Sequence, residues 1–505
     1  MEGSSPRNLK YLTDIEERMD SDEETKRLLE ADQDSINYTG GRYKTVGPTT
    51  IGLERSDEER DKLAARRKIS NRINELNNQS GFAKFRSASL SISMLAKPSD
   101  DRNASAWLAG WNVSNLIQGT GILGIPFAVH QGGWAAVASI FLVAALCCYT
   151  GKLLVSCLYE ESKKTGIKRR LRVNYPEVGE TVYKKLGFRL VSIVQVVEMF
   201  GGVTMYIVLL GTVLGELLQA KTGLGTYEWA AISCLVALPS LFIKRMSIIS
   251  WLSLLAVFAL MCSILVMVAF TIMKYDSWKL SNIPQFNPTT FPIGFGIVVF
   301  SYCAHAVFPS IESSMKKPEK FNNMMNWAFV FAAVVKAVLG VFMVLAFGNE
   351  TKEVATVNLL ENAGFSITAN ALVITNVMLA IPLAMFVVSL SFDDGFLMYF
   401  PYLNTDSKYH WIWLVITRPM LLCAALFVAL IVPHFGLLMG FVGSFTGTCL
   451  CFIFPCLFHL KLRWHKLSKA IIALDICVMV FGVIAGGFGL FFSAKALVET
   501  FEFGS

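Results

Sequence analysis

The chain has 505 residues, of which 54% are apolar and only 16% are charged, and its formal net charge is +7. A soluble domain carries about 25% charged residues, so this composition excludes an ordinary water-soluble globular protein. The first 104 residues are densely charged, whereas the sequence after Ala106 contains repeated long apolar stretches. Stretches of about 20 apolar residues cross a bilayer as helices, because a helix satisfies its own backbone hydrogen bonds.

We predict an all-α polytopic membrane protein with eleven spans. Their approximate bounds are Ala106–His130, Trp134–Tyr159, Leu190–Leu218, Trp229–Ile243, Ser247–Met273, Phe291–Ile311, Met325–Phe347, Phe365–Phe392, Trp411–Val432, Phe435–His459 and Ile471–Ala496. The transporter domain then covers residues 105–497, and residues 498–505 form a short tail. The polar, amphipathic segment 172–187 predicts a further, cytosolic helix beginning after Pro176; a solvated loop is the alternative.

Lysine and arginine are concentrated in one set of alternate loops, which places the N-terminus in the cytosol and the C-terminus on the opposite, lumenal side. Asn349, in an Asn-Glu-Thr sequence, then lies on the lumenal side and is a candidate glycosylation site. Residues 1–104 are polar with few aromatics and are predicted to be mostly disordered. Within them, Glu24, Leu28 and Leu29 resemble an acidic dileucine signal for clathrin adaptors; a turn of amphipathic helix is the alternative.

Two spans are interrupted at matching positions, five helices apart. The first contains the polar Asn115 and Gln118 followed by Gly119-Thr120-Gly121 and a proline, and the sixth contains Ser301, Tyr302 and His305 before another proline. Such a pair of broken helices indicates an inverted-repeat transporter with its substrate site near mid-membrane. The freed backbone groups at the breaks can hold the carboxylate and ammonium of a small zwitterion. Close packing at glycines is the alternative, and we accept it for Gly124, Gly486 and Gly487.

Ionisable side chains inside spans are costly and usually functional. Glu198 in the third span and His305 in the sixth are candidate proton carriers, since both side chains can change protonation. A structural ion pair between Glu198 and Lys336 is the alternative for the carboxylate, and His305 could instead be a satisfied hydrogen-bond donor. The sequence contains no phosphate-binding loop, metal-spaced His/Cys set or Ser-His-Asp arrangement. We therefore expect no enzyme, no bound cofactor or metal, and no nucleic-acid partner.

Several motifs resemble those of the amino acid/auxin permease family, within the amino acid–polyamine–cation superfamily. They include Trp111-Asn112-Val-Ser-Asn115, Gly121-Ile-Leu-Gly124-Ile-Pro126, Tyr175-Pro176-Glu177-Val-Gly179, and Ser301-Tyr302 with His305 and Phe308-Pro309. The resemblance implies a leucine-transporter-like fold, in which ten helices form two inverted repeats of five and the eleventh is an addition. It also implies alternating access, with Gly119, Thr120, Gly121, Ser301 and Tyr302 contacting the substrate and Asn115 and Gln118 adding polar contacts.

Other segments, such as Asn349-Glu350-Thr351-Lys352-Glu353-Val354 and Val432-Pro433-His434-Phe435, are similar to the branch of the family that loads inhibitory amino acids into vesicles. This similarity implies uptake of GABA and glycine into acidic synaptic or other vesicles in exchange for protons, with chloride as a possible co-ion. Gly119-Thr120-Gly121 and His305 match the wider family instead. A vacuolar or lysosomal carrier of broader neutral amino acids, and an amino-acid-sensing receptor without net flux, therefore remain alternatives.

Overall fold

The computed structural model describes residues 104–161, 168–242, 246–396 and 409–503. Their regular structure is helical except for one two-stranded hairpin, β1 (Tyr159–Glu161) and β2 (Lys168–Arg170). The helices are α1 (Ala106–Gln118), α2 (Ile125–Ser156), α3 (Tyr175–Thr222), α4 (Thr226–Ala237), α5 (Met246–Met273), α6 (Phe291–Tyr302), α7 (Phe308–Ser314), α8 (Phe321–Phe347), α9 (Ala363–Phe396), α10 (His410–Ile431), α11 (Phe435–Val442), α12 (Phe454–Arg463) and α13 (Lys469–Phe503).

The predicted all-α polytopic architecture is confirmed. In the described residues, eight helical segments are long and apolar enough to cross a membrane, and two shorter apolar helices accompany them. Large apolar side chains such as Phe258, Phe427 and Phe491 are more than 60% exposed. Exposure of this kind is expected where the surrounding medium is lipid rather than water.

The first break separates α1 from α2. Gly119 ends α1 with φ of +33°, a backbone conformation that favours glycine, and a 3₁₀ turn over Thr120–Gly124 leads into α2. Within α2, Gly133 has φ of +59° and marks the boundary between the first and second predicted spans. A Cβ atom at Gly133 would lie 2.0 Å from the carbonyl oxygen of Pro284, so only glycine fits at this bend.

The second break separates α6 from α7, as the sequence predicted. Helix α6 ends at Tyr302, Cys303 is extended, and α7 begins at Phe308. The two breaks touch, because a Cβ atom built on Gly121 would lie 3.0 Å from the Cα atom of Ser301. Two interrupted helices therefore meet in the interior of the bundle.

Helix α7 forms an ion pair and hydrogen bonds with neighbouring segments of the chain. Arg170 of β2 forms an ion pair of 2.9 Å with Glu312 and donates a 2.8 Å hydrogen bond to the carbonyl of Pro309. The chain entering α1 also pairs with the chain leaving α7, since Ala104 donates to Ser314 and accepts from Lys316. These contacts hold the start of α1 and the end of α7 side by side.

The structure differs in detail from the prediction for three helical segments. The helix expected after Pro176 exists, but it begins at Tyr175 and continues through a kink at Tyr183 and Lys184 into the third span. The tenth span contains two π-helical segments, Gly443–Gly447 and Cys449–Ile453, between α11 and α12. The last span extends through Phe503, so most of the predicted tail continues the helix.

The predictions for residues 1–103, including the sorting motif at Glu24, Leu28 and Leu29, lie outside the described residues.

Candidate substrate site

A cavity of about 280 Å³ lies beside the two breaks. Its walls come from α1 and the turn after it, from α3, α5 and α9, and from the segment joining α6 to α7. The predicted site residues that line it are Asn115, Gln118, Gly119, Thr120, Gly121, Glu198 and Ser301. Seven of the predicted residues, from three separate spans, are thus brought together at one cavity.

Helix α3 contributes one continuous stripe to the cavity wall. The stripe includes Gln195, Glu198, Gly202 and Tyr206, whose spacing of three to four residues places them on one face of the helix. Tyr206 and Thr120 both line the cavity, so this stripe and the first break face the same space.

Glu198 is the only carboxyl group among the described residues that line the cavity. Glu198 is 4% exposed, and Cys303, at the second break, lines the same cavity. A buried carboxylate that reaches a cavity between membrane helices is a typical ion-coupling group.

Lys336 on α8 does not pair with Glu198, so the predicted ion pair is wrong. Its Nζ atom donates to the carbonyl of Ile117 at 2.9 Å, and to the carbonyl and hydroxyl of Ser301 at 2.6 and 2.9 Å. Among the ion pairs between described residues, none includes Lys336. The side chain is fully buried and instead supplies positive charge at the C-terminal ends of α1 and α6.

Tyr302 and His305 are buried beside the cavity but do not line it. The ring of Tyr302 lies under Lys336, with the Nζ atom 3.4 Å from the ring centre. His305 Nε2 is 3.0 Å from the hydroxyl of Thr150, which itself donates to the carbonyl of Leu146. The Nδ1 atom of the same ring is buried without a hydrogen-bond partner, so the ring is only partly satisfied and the role of His305 as a satisfied donor stays a prediction.

Sequence reasoning missed four cavity-wall residues whose side chains carry a polar oxygen or nitrogen. They are Gln195 and Tyr206 on α3, Ser310 on α7 and Asn376 on α9. Each is a polar side chain within an apolar span, a signal that could have selected them. Only the packing of α3 and α9 against the breaks shows that they face the same space as Glu198.

Residues 102–494 match the family described as transmembrane amino acid transporter protein. The chain belongs to this family. It is 34% identical to the vesicular inhibitory amino acid transporter of Xenopus tropicalis, over 79% of this chain and 78% of that protein. It is also 34% identical to the vesicular GABA transporter of Caenorhabditis elegans, over 78% of this chain and 80% of that protein. The members of this family are transporters and not enzymes.

Among solved structures, the chain is similar to MHP1, a nucleobase-cation-symport-1 family transporter. The TM-score is 0.49 and the sequence identity 12%, and the match covers 79% of this chain and 94% of that one.

Proposed function

We infer that this amino acid transporter moves small neutral amino acids, GABA or glycine, into acidic vesicles in exchange for protons. The observation that supports this function is a cavity beside two helix breaks, in which Glu198 supplies the single carboxyl group among the described lining residues. The relatives named as vesicular inhibitory amino acid and GABA transporters support the substrate and the vesicular location.

Transport then occurs by alternating access around the breaks. Backbone N–H groups at the start of the turn after Gly119 have no partner within their own helix and suit the substrate carboxylate. Glu198 carries the proton, and the vesicle's acidifying pump supplies the gradient. His305 is a weaker candidate for this role than Glu198, because it is bonded to Thr150 and does not reach the cavity.

The proposal includes an orientation and a route to the vesicle. The N-terminus is cytosolic and the C-terminus lumenal, in accordance with the lysine and arginine bias of the loops. The dileucine motif of Glu24, Leu28 and Leu29 binds a clathrin adaptor. No cofactor is required, and chloride is a possible co-ion.

The test is uptake of labelled GABA, glycine and other neutral amino acids into proteoliposomes with an imposed acidic interior. We expect uptake of GABA and glycine that collapses with a proton ionophore. The Glu198→Gln variant should lose gradient-driven uptake, since its side chain cannot bind or release a proton. Glu216→Gln is the matched control, because Glu216 lies exposed on the same helix.

Three results would contradict parts of this proposal. Uptake of other neutral amino acids instead of GABA and glycine would assign the chain to a vacuolar or lysosomal role. Binding without flux under any gradient would indicate a receptor. Normal gradient-driven uptake by Glu198→Gln would remove the proton-carrying role of Glu198.

A further inference from the structure

Among the residues that the structure describes, the cavity wall provides one counter-charge for a positively charged ligand, Glu198. These lining residues include no lysine, arginine, histidine or aspartate, and the other titratable groups among them are the thiol of Cys303 and, further along α3, the phenol of Tyr206. Behind Cys303 lies a second thiol, with the Sγ atom of Cys451 at 3.2 Å. The described lining residues of α1, α5 and α9 have no ionisable side chain.

The nearest lysine cannot act in the cavity. Lys336 directs its Nζ atom at three acceptors on Ile117 and Ser301, and an ammonium group has only three N–H donors. All of its N–H donors are therefore used by acceptors at the ends of α1 and α6, and none is available to a substrate carboxylate.

One turn from Glu198, Gln195 has a complete amide group without a partner. The residue is 1% exposed, and neither its Oε1 nor its Nε2 atom has a hydrogen-bond partner. A buried polar group without a partner destabilises the protein, so such groups are rare unless a ligand or water completes them.

Further unpaired acceptors line the same cavity. Asn376 donates its Nδ2 to the carbonyl of Ala256 at 2.6 Å, which leaves Oδ1 without a partner. Gln118 donates its Nε2 to Ser114 at 3.3 Å, which likewise leaves Oε1 free. The unsatisfied groups are mainly acceptors, and a primary ammonium is a ligand that offers donors only.

We propose that Glu198 and Gln195 together bind the substrate's ammonium group, and that substrate and proton compete for the Glu198 carboxylate. This inference rests on the proposed function, since it assumes that the cavity takes an amino acid. A buried ammonium without a counter-charge is costly, and Glu198 supplies the only carboxylate in the described walls. The Gln195 oxygen accepts a second ammonium hydrogen, and its amide NH₂ remains available to the substrate carboxylate.

Competition for one carboxylate accounts for exchange without a second coupling site. A proton on Glu198 removes the negative charge that holds the ammonium, and a bound ammonium stabilises the ionised carboxylate against protonation. On each side of the membrane the carrier therefore binds either the substrate or a proton, but not both. In an acidic lumen the proton displaces the amino acid, and on the cytosolic side the amino acid displaces the proton.

The first measurement is equilibrium binding of labelled GABA and glycine to the purified full chain as a function of pH. In the acidic range where the carboxyl is mostly protonated, the apparent Kd should rise about tenfold for each unit fall in pH. Glu198→Gln should bind weakly, with a Kd that does not change with pH. Butyrate, which lacks the ammonium, should not compete.

The second measurement separates a ligand contact from a structural role for Gln195. Gln195→Met removes the unpaired amide at similar volume, so the thermal unfolding midpoint without substrate should stay the same or rise. The Kd for substrate should increase about tenfold, with its pH slope unchanged. Ser192→Ala is the control: Ser192 is one turn earlier on α3, is buried with an unpaired hydroxyl, and does not line the cavity.

The outcomes distinguish this inference from the function on which it rests. If the wild-type chain transports amino acids but its Kd is independent of pH, the shared carboxylate is wrong and the function stands. If Gln195→Met lowers the unfolding midpoint and leaves the Kd unchanged, Gln195 is structural. A requirement for sodium that Glu198→Gln abolishes would assign the site to a metal cation. Absence of amino-acid binding and transport would overturn both proposals.

Discussion

Single polar residues inside the bundle fall into two groups with different tasks. The three hydrogens of the Lys336 ammonium group all have acceptors in the protein, whereas the amide group of Gln195 has no partner. A buried polar group with complete hydrogen bonds stabilises one arrangement of the helices. A buried polar group at a cavity that lacks a hydrogen-bond partner can be paired by a bound ligand. The sequence shows only the residue type and its location within an apolar span, and these do not separate the two groups.

Replacing Lys336 with methionine should destabilise the junction between the two breaks. The change leaves the carbonyls of Ile117 and Ser301 without their donor, and each unsatisfied buried acceptor costs about 1–3 kcal/mol. We expect a clear fall in the thermal unfolding midpoint of the purified protein, together with loss of uptake.

Lys495→Met is the control for this change, because Lys495 forms an exposed pair with Glu499 at 3.6 Å. Exposed pairs of this kind contribute about 0–1 kcal/mol. Equal midpoints for Lys336→Met and the wild type would show that the bonds to the helix ends contribute nothing.

Among the helices, glycines decide how closely neighbouring elements approach. Helix α13 packs against the π-helical part of the tenth span, where a Cβ atom on Gly486 would lie 2.6 Å from Thr448 Oγ1 and 2.9 Å from the carbonyl of Ser444. A Cβ atom on the adjacent Gly487 would meet nothing within 4 Å. The packing role predicted for Gly124 and Gly486 therefore holds, since Gly124 lies against Met439, but it fails for Gly487.

Gly486→Ala should lower the thermal unfolding midpoint, whereas Gly487→Ala should leave it unchanged or raise it slightly. Overpacking a close helix contact costs about 1–3 kcal/mol, and alanine at an open helical position is favoured over glycine. The two variants differ by one position and add the same methyl group, so each controls for the other. Equal midpoints would show that α13 is not held at this distance.

At the scale of the whole molecule, polar contacts join segments that are distant in sequence. Arg170 pairs with Glu312 on α7. His434 Nδ1 lies 3.3 Å from Glu353, whose second oxygen accepts a 2.8 Å bond from the N–H of Gly436. The hydrogen bond to Glu353 raises the pKa of His434 from its ordinary value. This charged pair is therefore complete at acidic pH and weakens as the pH rises through that raised value.

The orientation of the whole chain can be tested at Asn349, which is exposed in the turn after α8. If the turn is lumenal, protein made in animal cells should carry a glycan there. Glycosidase treatment should then increase its electrophoretic mobility, and Asn349→Gln should show the same mobility untreated. Asn112→Gln is the control, since Asn112 lies within α1 and should remain unmodified. A glycan on an acceptor site added at the N-terminus, with none on Asn349, would reverse the orientation.

The sequence by itself determined the membrane class, the all-α architecture and the positions of both breaks. These features follow from local properties: the length of an apolar run, and the inability of glycine and proline to continue a regular helix. Asn115, Gln118 and Thr120 could be assigned to the site for the same reason, because they are adjacent to a break along the chain.

Only the tertiary structure decided which polar side chains share a cavity and which satisfy one another. Gln195 and Asn376 lie on helices far apart in sequence, and their common cavity depends on how α3 and α9 pack beside the breaks. Lys336 was open to an ion pair with Glu198 until its bonds to Ile117 and Ser301 were located. Hydrogen-bond partners of this kind are set by three-dimensional distance, which an apolar sequence pattern does not encode.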